Sequence, residues 1–223
     1  MNDKQRVAEY AAQRVQNGMT VGLGTGSTAN CFIEALARRC RHENLQVDVV
    51  ASSTVSAIKA QTEGLHLLGL EHLRHIDLYV DGADEVAPDM SLLKGRGSDL
   101  VREKILAAAC DEFWVLIDDG KRVDYIGQRY PVPVEVLPFA WRMVQAALAK
   151  MGGRAELRTR ADGLAVTSHG CLVLDTLFEP PWAIEVLNQH LNAIPGVAAH
   201  GVFYRLATSI FCGENGEISQ QHT

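Results

Sequence analysis

The stretch MTVGLGTGSTANCFIEALARRC, residues 19–40, decides how the rest of the chain is read. Met19–Leu23 is a short apolar run with the look of a buried strand. Ser27–Cys40 carries its apolar residues at helical spacing, and a glycine-rich turn joins the two. A strand that turns through glycine into a helix opens a unit of parallel sheet. Upstream, residues 3–17 place Val7, Ala8, Ala11, Ala12 and Val15 on one helical face, with Asn17-Gly18 as the stop. Downstream the alternation continues: strand Val47–Ala51, helix Val55–Thr62, strand Ile76–Val80, helix Ser98–Ala109 and the continuous apolar strand Phe113–Ile117. This repetition predicts an α/β domain with a doubly wound, mostly parallel sheet.

At Tyr130 the pattern changes. YPVPVEVLPF (130–139) holds three prolines, which suit an edge strand or a connection between domains. Beyond it lie a helix (Ala140–Lys150), strands (Ala155–Thr159, Cys171–Asp175) and a helix (Trp182–Leu191), which make a smaller α+β unit. The apolar SIFC (209–212) can return to the first sheet as a strand. The expected organisation is residues 1–129 plus 200–223 as the larger domain and 130–199 as the smaller one.

Composition narrows the function. At 223 residues, 47% hydrophobic and 22% charged, the chain can bury a full core. A net charge of −6 without a basic run argues against a nucleic-acid surface. No apolar run reaches membrane-spanning length, and MNDKQRVAEYAAQRV is amphipathic and charged, so we expect a cytoplasmic protein without membrane partners. The five cysteines form no CxxC pair, and the eight histidines form no HExxH. Glu71, His72 and His75 can share a helix face, but an exposed polar turn before a strand explains them as well. No protein-held metal is expected.

Ligands of doubly wound sheets bind beyond the carboxyl ends of the strands. Four polar clusters fall there: GTGST (24–28), SSTVS (52–56), DGADE (81–85) and DDGK (118–121). The first offers glycines for close approach, Ser27 and Thr28 hydroxyls, and helix-start amides for an anion. A tight turn with a Ser or Thr helix cap explains the same residues. Gly24, Gly26 and Ala29 also fit the dinucleotide pattern G-x-G-x-x-[GA], yet the next strand ends in Ser52 and Ser53 where a ribose-binding acid belongs. Serines 52, 53 and 56 can contact hydroxyls or phosphate, or simply cap a helix. Asp81 and Asp84 stand three apart around Gly82 and Ala83, and paired acids near Lys94 can hold sugar hydroxyls and shift one another's pKa. Glu103 sits in the first turns of a helix, where the helix dipole favours its ionised form, as a base needs. A glutamate that only improves the helix start, or pairs with Arg102 or Lys104 in solvent, accounts for it too.

In order and spacing, GTGST, SSTVS, DGADE, KGRGSDLVREKI (94–105), DDGK with VDYIG (123–127), and YPVPVEVLPFA resemble the type A ribose-5-phosphate isomerase family. The resemblance covers essentially the whole chain. It implies an enzyme of the pentose phosphate pathway that interconverts D-ribose 5-phosphate and D-ribulose 5-phosphate through an enediolate, with no metal or organic cofactor, as a homodimer or homotetramer. It makes Glu103 the proton carrier, Asp81 and Asp84 the acids for ring opening and sugar hydroxyls, and Lys94 the cation for the enediolate. Thr25, Gly26, Ser27 and Thr28 become the phosphate loop, with Lys121 and Lys4 as further cations. Gly82 and Ala83 line the substrate, with Gly95, Arg96 and Gly97 in the turn beside it. Three features depart from the family pattern: Arg96 and Asp99 in a turn usually made of small residues, Gly120 in place of a hydroxyl residue, and Thr167–Cys171 in place of a TDNGN-like turn. Arg96 can point to solvent or crowd the pocket, and we expect it to face solvent. A nicotinamide-dependent oxidoreductase and a non-catalytic sugar-phosphate sensor are the competing readings.

Overall fold

The computed structural model describes residues 2–97, 99–161, 163–179 and 182–223. The chain begins with α1 (Asp3–Ala12), β1 (Thr20–Leu23), α2 (Ser27–Glu43), β2 (Asp48–Ala51), α3 (Thr54–Thr62), β3 (His66–Leu67) and β4 (Ile76–Asp81). Two short strands follow, β5 (Glu85–Val86) and β6 (Leu92–Leu93), then α4 (Leu100–Ala109) and β7 (Cys110–Asp118). Next come β8 (Val132–Val136), α5 (Trp141–Lys150), β9 (Gly153–Leu157), the ribbon β10 (Thr159–Arg160) and β11 (Gly163–Leu164), and β12 (Leu172–Phe178). The last elements are α6 (Ile184–Ala193), β13 (Val197–His200), β14 (Val202–Phe203), β15 (Ser209–Glu214) and β16 (Glu217–His222).

Two compact units form. One contains the residues up to Ala83, Ile105–Lys121 and everything from Leu206 onward; the other contains Asp84–Lys104 and Arg122–Arg205. A cut at residue 129 with a return at 200 therefore divides the chain differently from its contacts. Residues 84–104 group with the second unit because β6 pairs with β14 in one three-stranded sheet, in the order β14-β6-β5. Strands of two residues leave no periodicity to read.

The first unit is built on a seven-stranded sheet in the order β16-β15-β7-β4-β1-β2-β3. All neighbours in it are parallel except β15 and β16. The chain winds from β1 out through β2 to β3, then crosses back to place β4 on the other side of β1. That reversal makes the carboxyl ends of β1 and β4 the binding position of such a sheet. SIFC lies within β15, parallel to β7, while the mostly exposed β16 carries no apolar alternation that would announce it. Asn2 caps α1 through a capping box with Gln5. That helix ends at Ala12 and not at 17, because the amides of Arg14 and Val15 turn back to the carbonyls three residues earlier. Val7, Ala8 and Ala11 of α1 pack with Phe32, Ile33 and Leu36 of α2 over Leu23, Val80 and Leu116 of the sheet.

In the second unit the antiparallel order is β13-β8-β12-β9, with Val144 and Leu148 of α5 and Leu187 and Leu191 of α6 packed against Val134, Val136 and Leu174. The proline-bearing β8 is thus central and buried along its whole length, contrary to the edge strand or connection its prolines suggest. Pro133 is tolerated because its ring lies against Gly201: a Cβ there would stand 2.5 Å from Pro133 Cδ, while the Pro133 carbonyl still accepts from the Gly201 amide at 2.7 Å. A missing N–H matters little where the facing residue leaves room for the ring and the ladder bond runs through the carbonyl. Residues 132–136 are paired on both edges and buried.

Candidate active site

In the first unit, Asp81 ends β4 and is almost wholly buried. Its Oδ1 accepts from the amides of Thr25 (3.1 Å) and Gly82 (2.7 Å), and its Oδ2 from the Tyr79 hydroxyl (2.5 Å). A Cβ on Gly24 would stand 2.1 Å from the Asp81 carboxyl, so only glycine lets the loop after β1 reach it. Gly26 takes φ +117° and precedes α2 with no side-chain cap, which leaves the amides of Ser27 and Thr28 for an anion. Lys4 Nζ lies 3.1 Å from Ser27 Oγ. Thr25 Oγ1 is 2.9 Å from Ser52 Oγ and 2.7 Å from Ser53 Oγ. Ser53 also caps α3 in a capping box with Ser56, so these serines organise the loop and their helix. No acid stands at the end of β2 to hold a dinucleotide ribose. Lys121 and Asp119 bound a short 3-10 turn just past β7. Gly82 and Ala83 are half-buried.

In the second unit, Lys94 follows β6. Its amide donates to the Gly201 carbonyl at 2.9 Å, and its Nζ lies 3.3 Å from Glu103 Oε2. Both side chains are nearly withdrawn from water, at 5% and 10% exposure. Glu103 stands in the first turn of α4, where the unpaired helix amides favour a carboxylate. Of the alternatives for Glu103, the helix-start placement and the close approach to Lys94 are both seen. Ser98, the first residue of the helix expected from sequence, lies outside the described residues. Gly95 takes φ +102°, and a Cβ there would meet Leu100 at 2.2 Å. The Arg158 guanidinium braces this turn by donating to the carbonyls of Gly95 (2.9 Å) and Arg96 (3.3 Å) while its other nitrogens hold Asp175.

Asp84 Oδ2 accepts the Arg96 amide at 3.2 Å. The exposed Arg96 places its guanidinium 4.0 Å above the Tyr130 ring, and its backbone is not among the positive-φ residues. Gly97 is exposed. Two departures from the family pattern meet each other: the Ser168 amide donates to Asp99 Oδ1 at 3.1 Å.

Sequence reasoning missed Tyr79, Arg158 and the inward turn of Lys104. Tyr79 had a signal, since it sits two residues before Asp81 and so on the same face of β4. Arg158 had none, because its partners lie 17 and more than 60 residues away in the chain. A cavity of about 340 Å³ in the second unit, walled by Tyr125, Ile126, Phe178 and Trp182, includes none of the acid or base residues above.

Among the described residues one group has metal-ligand spacing: His75, Asp77 and Asp111, whose ligand atoms lie within 4.8 Å of one another. His75 Nε2 is 3.2 Å from both carboxylates. The group is at the amino ends of β4 and β7, the opposite end of β4 from Asp81. Glu71 and His72 take no part in it.

A family model described as ribose 5-phosphate isomerase A (phosphoriboisomerase A) matches residues 48–217. Ribose-5-phosphate isomerase A of Thermosynechococcus vestitus is 43% identical over 214 residues, covering 95% of this chain and 91% of the relative. That of Thermococcus kodakarensis is 41% identical, covering 94% and 93%. Among solved structures, ribose 5-phosphate isomerase A from Methanocaldococcus jannaschii superposes with a TM-score of 0.94 at 36% identity, over 99% of this chain and 98% of that one. A D-ribose-5-phosphate isomerase in complex with phospho-erythronic acid gives 0.96 at 33% identity, over the whole of both chains.

Proposed function

This chain belongs to the ribose 5-phosphate isomerase A family, and from that premise we propose how its residues interconvert D-ribose 5-phosphate and D-ribulose 5-phosphate. The reaction moves a proton from C2 of the aldose to C1 of the ketose. One carboxylate swinging between neighbouring carbons suffices, and Glu103 is that base. As the C2 proton leaves, negative charge gathers on the carbonyl oxygen, and the Lys94 ammonium stabilises the enediolate. The observation that carries this reading is the buried Lys94–Glu103 pair, a base and a cation held 3.3 Å apart and nearly dry. Low local dielectric strengthens the pull of the ammonium on the enediolate charge.

Asp81 and Asp84 assist ring opening and hold sugar hydroxyls, with Gly82 and Ala83 beside them. Residues 25–28 take the phosphate on the amides of Ser27 and Thr28, with Lys121 and Lys4 adding positive charge. The amides of Gly95 and Gly97 supply further donors, and Arg96 faces solvent. The phosphate does not react, but its binding orients the sugar. A relative that binds phospho-erythronic acid supports this, since a phosphorylated sugar acid presents a carboxylate where the enediolate would carry its charge. Enolisation of this kind calls for no cofactor. Ribose 5-phosphate turnover by the purified protein, with nicotinamide cofactor binding titrated alongside, tests the function. Cofactor binding without turnover would favour the oxidoreductase, and sugar-phosphate binding without turnover the sensor.

The protein acts in the cytoplasm as a homodimer or homotetramer. Exposed Phe139 and Met143 of the second unit are the candidate contact surface. Sedimentation at micromolar concentration that finds only a 24.4 kDa species would refute self-association.

A further inference from the structure

Lys104 follows the proposed base in sequence, yet its amine is turned into the second unit. Its Nζ donates to the Val202 carbonyl at 2.8 Å and lies 3.1 Å from His200 Nδ1. His200 is fully buried, and its Nε2 is 3.0 Å from Asn192 Oδ1. With Nε2–H donating to Asn192, Nδ1 is left to accept from the amine. Burial pushes the Lys104 ammonium down to about 7, which marks how far it is withdrawn from water. The same burial, with Lys104 opposite, holds His200 far below its ordinary value, so the imidazole stays neutral.

The segment Lys104 grips is the one that holds Lys94. Val202 pairs with Leu93 and Phe203 with Leu92, and the Gly201 carbonyl accepts the Lys94 amide. That register cannot slacken toward Gly201, where even a Cβ would stand 2.4 Å from the Lys94 carbonyl oxygen. The Phe203 ring faces both ammonium groups, Lys104 at 4.8 Å and Lys94 at 5.7 Å. Glu103 rides on α4, and Lys94 rides on β6 through its pairing with β14. Beside the Lys94–Glu103 pair itself, the Lys104 amine is a second tie between the two carriers.

We infer that Lys104 is a positioning residue, whose amine, anchored on Val202 and His200, sets the spacing between Glu103 and Lys94. Touching neither substrate nor reacting atoms, it acts by holding α4 against the strand beneath Lys94. A loosened pair costs rate more than affinity, because misplacement of the base is felt in the transition state.

The inference rests on Glu103 and Lys94 as the reacting pair, so Glu103→Gln is assayed in parallel. Lys104→Met keeps the stem and removes the tie. It is expected to lower kcat at least tenfold while the KM for ribose 5-phosphate stays within threefold. His200→Leu, which keeps the lysine and takes one anchor, is expected to lower kcat about threefold or more, again with KM held, and serves should Lys104→Met not fold. A kcat within twofold of the parent in the folded Lys104→Met protein, or in His200→Leu if that alone folds, overturns the inference. So does a tenfold rise in KM with unchanged kcat, which would make Lys104 a substrate ligand. If Glu103→Gln keeps full turnover, the assignment of the reacting pair fails instead, whatever Lys104 does.

Discussion

Lys94 Nζ and Glu103 Oε2 lie 3.3 Å apart inside the second unit, an ion pair with almost no solvent contact. Removing one member of such a pair leaves the other charge uncompensated. Glu103→Gln keeps the shape but abolishes the basicity. We expect turnover to fall about a hundredfold or more with ribose 5-phosphate still bound, and stability to drop by about 3 kcal/mol. Steady-state kinetics and urea unfolding measure the two effects separately. Near-normal turnover would remove Glu103 from its role.

Gly24→Ala tests the other unit. The added Cβ would sit 2.1 Å from the Asp81 carboxyl, which the Thr25 and Gly82 amides and the Tyr79 hydroxyl already hold. Something must move, at a cost of about 1–3 kcal/mol. Turnover should fall at least tenfold. An alanine variant with unchanged kcat and midpoint of unfolding would mean that Asp81 need not stay where it is.

For Arg96→Gly the expected effect is on stability alone. The backbone at Arg96 is not in the left-handed region, so glycine relieves no strain; it adds unfolded-state freedom and removes the contact with Tyr130. Together these cost about 1 kcal/mol, a fall in Tm of about 2–4 °C for a chain of this size. The KM for ribose 5-phosphate should stay within about threefold, well under the 1.4 kcal/mol of a tenfold change. A tenfold rise at fixed ionic strength would identify Arg96 as a substrate ligand.

Glu135 gives a pH-dependent prediction. It has no exposed surface, and neither carboxylate oxygen makes a full hydrogen bond. Burial pushes its pKa above the ordinary 4.5, outweighing the pull of Thr167, His169 and the Val101 and Leu100 amides. A carboxyl with a raised folded pKa binds more protons folded than unfolded. Its contribution is therefore fully present below the unfolded pKa and lost as pH rises through the folded one. Glu135→Gln should accordingly melt at a higher temperature than the parent at pH 8, with the difference vanishing near pH 4. Scanning calorimetry at the two pH values decides; a variant less stable at pH 8 would show the carboxylate to be held by its neighbours.

Exhaustive chelation should leave activity unchanged. The His75, Asp77 and Asp111 group is at the far end of β4 from Asp81, so an ion captured there would not touch the Asp81 carboxyl. Activity lost to chelator and restored by a divalent cation would contradict a mechanism in which Lys94 and backbone amides, without a metal, meet the oxyanion.

The alternation of apolar strands with amphipathic helices, and the polar clusters at the strand ends, were legible in the sequence because both are local patterns. Periodicity and turn chemistry are set by neighbours a few residues away. The motifs around Asp81, Lys94 and Glu103 could be read for the same reason. The tertiary structure alone decided what depends on partners far along the chain. Pro133 can sit mid-sheet only because Gly201 is opposite it, and Glu103 meets Lys94 from a different element. Lys104 turns from solvent to His200, 96 residues away. No pattern within a few residues encodes which side chain a fold will bring to face another, since that is set by strand register and packing, and a shift of one residue would change every partner.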